Sequence, residues 1–178
     1  MSASPMLVFY TVAVLATLIA AVTDSRSGRI PNWLTLPLLV LAPMAWGVCF
    51  SLRDALVSLL GLAVCGLVPL LFFVRNAMGG GDVKLFAALG ALLGPSTGIE
   101  VQFFAYCALT FVLLSRMAWE GRLFATLATS AKAALSLVFP KRLRAPIEPT
   151  TLTSMRMGVA ICAATLLSLL LKVQEGAL

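Results

Sequence analysis

A chain of 178 residues that is 61% hydrophobic and only 11% charged has too little polar surface to cover a soluble core. Its mean hydropathy of +1.03 marks an all-α, polytopic integral membrane protein. The net charge of +6 does not point to nucleic acid, because the basic residues lie between hydrophobic runs rather than in a stripe interleaved with aromatics. The sequence contains no histidine, which excludes Ser-His-Asp, Cys-His and HExxH chemistry.

Runs of about 17–20 apolar residues, the length that crosses a ~30 Å hydrocarbon layer, recur along the chain. The first, Met6–Thr23, lacks the basic n-region and small-residue cleavage site of a secretory signal, and it closes on Asp24. It is therefore read as a mature membrane helix. A polar segment follows, Asp24-Ser25-Arg26-Ser27-Gly28-Arg29-Ile30-Pro31-Asn32-Trp33. A plain structural account fits each of its parts: Arg26 and Arg29 as topological anchors, Pro31 as a turn before the second helix, Trp33 as an interfacial aromatic.

Further membrane helices are expected over Trp33–Leu52, Ala55–Val74, Asp82–Leu93, Ile99–Met117 and Met155–Leu171, making about six in one membrane domain spanning 1–178. The fourth is short: twelve residues reach roughly 18 Å, well under a bilayer. A short helix behind three glycines is tolerable at membrane depth only where protein buries it or where it lines a water-filled cavity. Such a cavity would bring water to Asp82.

The long polar stretch 119–154 is expected to be a loop, with Leu123, Leu127, Ala131, Ala134, Leu135 and Val138 on one face of an interfacial amphipathic helix. A seventh span there is the rival reading, against which Lys132 stands at its middle. Six helices gather eleven of the thirteen Lys and Arg residues on one side and leave Arg53 and Lys172 on the other. The positive-inside rule makes the first side cytoplasmic, with Asp24 and Asp82 on that face and both termini outside.

Cys49, Cys65, Cys107 and Cys162 lie within apolar runs without a CxxC pair, and are expected to be small buried hydrophobes. Asp54, Glu100, Glu120, Glu148 and Glu175 stand at expected helix ends or loops and are read as solvated charges.

Chemistry concentrates at Gly79-Gly80-Gly81-Asp82-Val83-Lys84. Glycines permit a close backbone approach, so an extended substrate could lie against this turn. The alternatives are a flexible turn with Asp82 as an ordinary N-cap, or an anion cradle using Lys84. The cradle suffers from the absence of GxxxxGK[ST] and from the charge of Asp82. Ionisable groups at a membrane boundary are functional candidates by default, and two carboxylates on one face suggest an aspartyl protease. One would keep a proton and the other would act as base toward a water between them. Lys84 either tunes this pair, binds lipid phosphate or anchors its helix end.

The GxGD run Gly79-Gly80-Gly81-Asp82 with Lys84, together with the upstream Asp24 and Ile30-Pro31-Asn32, resembles the type IV prepilin peptidases, which are GxGD-type intramembrane aspartyl proteases. The resemblance covers helices one to four and extends to the rest by hydropathy. It implies a six-helix enzyme that removes the basic leader of type IV prepilins or pseudopilins after a glycine, at the cytoplasmic face of the inner membrane. Asp24 and Asp82 match the catalytic pair, with Gly79, Gly80, Gly81, Lys84, Ile30, Pro31 and Asn32 in supporting or substrate-binding roles.

No metal or organic cofactor is expected, and the partners are the precursor and membrane lipid. Larger members carry a cytosolic segment with paired CxxC motifs associated with N-methylation. The chain thus resembles the short form found with tight-adherence (Flp) pili. It departs from that form at the last span, where short members often show a Pro-Tyr-Gly-like turn and this chain has Arg156-Met157-Gly158. The rival functions are a small proton- or cation-coupled transporter using Asp24 and Asp82, in which helix four would be a broken helix, and a structural subunit of a secretion machine.

Overall fold

A computed structural model describes residues 3–75, 78–119 and 157–174. All regular structure in them is helical: α1 Ala3–Ser27, α2 Asn32–Cys49, α3 Leu52–Val74, α4 Gly80–Trp119, and a last helix, α5, Met157–Gln174. Each of the five is long and apolar enough to cross a membrane, so the protein is multi-pass. The expected amphipathic helix and most of the loop 119–154 lie outside the described residues. The chain forms two compact units, Met1–Ala108 with Arg156–Leu178, and Leu109–Met155. Of the second, the described part is the helical end of α4, 109–119.

In the first unit α1 packs along α5, and α2 along α3. The outward faces are apolar, with Leu7, Val8 and Leu15 of α1 and Val40, Leu41 and Met44 of α2 exposed. That is the pattern of helices solvated by lipid. It also explains a difference from the sequence reading: Cys65 and Cys162 are buried, but Cys49 and Cys107 are exposed. In lipid, an apolar neighbourhood in sequence does not imply the protein interior.

The expected fourth and fifth helices run into one another as α4, broken at Gly94, whose φ of 79° lies outside the helical region. This is a reversal of the chain. Phe86 and Tyr106 bring their rings to 5.6 Å, and a Cβ on Gly98 would stand 2.9 Å from the Cα of Gly90. Contacts between residues so far apart on one helix require its two arms to fold back on each other. Gly94 supplies the left-handed residue that the turn needs, and Pro95 starts the next arm.

The first arm is the centre of the bundle, with residues 85–93 all buried. Its small residues allow close packing: Gly90 faces the backbone of Gly61 and the side chain of Cys65, leaving no room for a Cβ. The reversal leaves the last carbonyls of this arm without helical partners. Two neighbouring helices supply them, Ser58 Oγ donating to Ala91 O at 2.7 Å and Trp46 Nε1 donating to Leu92 O at 3.2 Å.

Two acids expected to be solvated have structural partners instead. Asp54 lies in the first turn of α3, where Ser51 Oγ donates to Asp54 Oδ2 at 2.6 Å and the Asp54 N–H donates to Ser51 Oγ at 3.3 Å. That pairing caps the helix three residues earlier than hydropathy suggests. Glu100 accepts from Ser168 Oγ at 3.0 Å and lies 3.8 Å from Lys172 Nζ, tying α4 to the end of α5.

Candidate functional site

Asp24 does not end the first helix. α1 continues to Ser27 because helix formation is indifferent to the change from apolar to polar residues. Gly28 stops it, at φ +63°, with its N–H donating to Asp24 O at 2.8 Å. This is a glycine C-terminal stop. Asp24 is thereby held on the last turn of a rigid element, and it is buried, 7% exposed.

Asp82 likewise sits inside a helix rather than at its cap. α4 begins at Gly80, and the N–H groups of Asp82 and Val83 both donate to Gly79 O, at 3.2 and 3.4 Å. The N-cap account of Asp82 is thus corrected: it stands in the first turn, where its carboxylate folds back over Gly79. A Cβ on Gly79 would lie 3.0 Å from Asp82 Oδ2. The triple glycine is ordered by its neighbours. Gly80 sits against the ring of Phe73, and a Cβ on Gly81 would come within 3.0 Å of the Ile30 Cβ. The close approach that the glycines permit is taken at Gly81 by the chain's own segment after α1.

That segment joins the two aspartates. Ile30 is buried, Pro31 precedes α2 in extended conformation at ψ 140°, and Asn32 opens α2. Lys84 Nζ donates to Asn32 Oδ1 at 2.8 Å. This bond straps the first turn of α4 to the first turn of α2. Asp24, residues 28–30 and residues 79–82 line one cavity of about 250 Å³. The structure therefore brings Asp24, Asp82, the three glycines and Ile30 to one place, and sets Pro31, Asn32 and Lys84 beside it as bracing. Among the described residues no group of three or more His, Cys, Asp or Glu could hold a metal ion.

One participant was missed in the sequence. Gly158, the second residue of α5, donates its backbone N–H to Asp24 Oδ2 at 2.9 Å. A Cβ there would stand 2.9 Å from the Asp24 Cβ and 3.0 Å from Ala20 O. The available signal was the glycine in Arg156-Met157-Gly158, at the point where the chain departs from the resembled family's turn.

Residues 11–114, a stretch that contains both aspartates, match the sequence profile of the type IV leader peptidase family. The chain is also 36% identical over 114 residues to the prepilin leader peptidase/N-methyltransferase of Burkholderia pseudomallei, in strain 1026b and in strain K96243. The match covers 61% of this chain and 37% of each relative. No solved structure gives a significant match.

Proposed function

We propose, from the premise that this chain belongs to the type IV leader peptidase family, that it is an aspartyl endopeptidase that cuts the leader from prepilin-like precursors at the cytoplasmic face of the inner membrane. The observation that carries this reading is that Asp24 and Asp82, 58 residues apart in sequence, line one cavity. Membership of that family supports this reading over the transporter and structural-subunit readings.

In the proposed reaction a water held between the carboxylates loses a proton to the ionised aspartate and attacks the scissile carbonyl. The protonated aspartate donates to the developing oxyanion. Collapse of the tetrahedral intermediate breaks the C–N bond as the aspartate that took the water's proton passes it to the leaving amine and the other aspartate regains a proton from the gem-diol hydroxyl, leaving a carboxyl group on the leader and a free amine on the mature subunit. Side chains of this chain supply every proton transfer.

The open side of the cavity would receive the precursor junction, with its basic leader in the cytoplasm and its apolar helix in lipid. The reading includes Flp-type pilins as substrates. It assigns the chain no methyl transfer, since its four cysteines form no CxxC pair. Incubating the purified chain in detergent with a synthetic Flp-type precursor tests it: a product shortened by the leader, with a free new N-terminus by mass spectrometry, is expected. An intact precursor across a panel of such substrates would sink the reading.

A further inference from the structure

The Gly158 contact joins two elements in a way that hydropathy does not require. A helix of lipid-facing length needs only an apolar surface to pack, yet α5 places a backbone donor of its first turn on a buried carboxylate. The first N–H groups of a helix have no partner within it, so the Gly158 N–H has a donor to give. The absence of a Cβ lets it reach Asp24, because any side chain at this position would meet the Asp24 Cβ and the Ala20 carbonyl first. Both sides of the contact are helical: Asp24 is on the last turn of α1, and Gly158 is on the first turn of a helix that packs along α1.

We propose that Gly158 is a positioning residue for the dyad: its N–H fixes the rotation of the Asp24 carboxylate, and so sets the direction in which Oδ1 meets the water and Asp82. The inference rests on the peptidase reading and adds to it a third element of the site, contributed by the helix farthest from Asp24 in sequence. The Asp82 carboxylate lies over Gly79, in the turn of its own chain.

Removing the single hydrogen tests this more cleanly than a side chain would. Replacing Gly158 by glycolic acid through nonsense suppression turns the Met157–Gly158 amide into an ester, which deletes the N–H and adds no bulk. Two readouts are taken on the detergent-solubilised full chain. The first is the infrared carboxylate stretch of Asp24, identified as the band lost in Asp24→Asn. The second is steady-state cleavage of a synthetic precursor. The expected result is a shifted Asp24 band, a kcat lowered by about tenfold or more, as for loss of a hydrogen bond to a charged group, and an unchanged KM.

Gly158→Ala is expected to lower kcat likewise. If it fails to fold, the ester variant carries the test alone. An unshifted band, or a shifted band with kcat unchanged, overturns the inference while the peptidase reading stands. A wild-type chain that cuts no precursor overturns the peptidase reading and the catalytic meaning of the contact together, an outcome distinct from the other two.

Discussion

Lys84 Nζ and Asn32 Oδ1 meet at 2.8 Å across 52 residues of sequence, and this bond joins the helix that carries Asp82 to the segment that follows Asp24. If that is its function, Lys84→Ala and Asn32→Ala are redundant. Each is expected to lower stability by about 0.5–1.5 kcal/mol, and the double variant by little more than either. Thermal unfolding of the four proteins in one detergent measures the coupling. Additive losses would show that the two residues act separately.

Asp24→Asn and Asp82→Asn remove a titratable group without changing volume. Under the proposed mechanism each lowers kcat by about 10²–10⁴-fold, with membrane insertion and abundance near normal. Cleavage at matched protein level checks this, and near wild-type turnover in either variant would dissolve the dyad.

Gly79 and Gly90 are both glycines against close neighbours, but their substitutions are expected to fail differently. Alanine at Gly79 meets the movable carboxylate of Asp82, so the fold survives and kcat falls. Alanine at Gly90 meets the backbone of Gly61 and the side chain of Cys65 in the centre of the bundle, costing about 1–3 kcal/mol of overpacking or more. Comparing melting temperature with turnover for the two variants separates the roles. A large loss of stability in Gly79→Ala would contradict the assignment.

The distribution of basic residues predicts the orientation. Reporter fusions at Arg142 are expected to read cytoplasmic and those at Arg53 external. The opposite pattern would turn the Asp24–Asp82 face away from the compartment that holds the leader.

A precursor junction must leave the helical state before its peptide bond can be attacked. A glycine before the cut favours this by about 1 kcal/mol relative to alanine, and it takes little room in a cavity of about 250 Å³. Replacing that substrate glycine with leucine is expected to block processing, whereas changes farther upstream in the leader have smaller effects. Efficient cutting of the leucine variant would rule out a narrow, glycine-reading site.

The parts of this site that could be read from sequence are those whose chemistry is local. Asp82 announces itself by the three glycines before it, and Asp24 by standing where an apolar run turns polar. Six helical segments follow from hydropathy, although the sequence does not say that the fourth and fifth double back at Gly94. What escaped the reading depends on tertiary neighbours. Asp24 lies within α1 rather than after it because Gly28, not polarity, ends the helix. Glu100 has partners only because α5 brings Ser168 and Lys172 alongside. Gly158 is one small residue in an apolar run, and nothing in its local sequence tells that 134 residues earlier a carboxylate awaits its N–H.

The Gly94 reversal has a consequence for the lipid. The first arm of α4, residues 80–93, is about 21 Å long, and it turns back short of a hydrocarbon layer ~30 Å thick. Ser58 and Trp46 satisfy the carbonyls at that end, and residues 85–93 are enclosed by protein, so the arm need not lengthen and lipid does not meet its short end. The hydrophobic length that the bilayer must match is then set by the lipid-facing helices around the arm, and the arm itself is expected to tolerate membranes of different thickness.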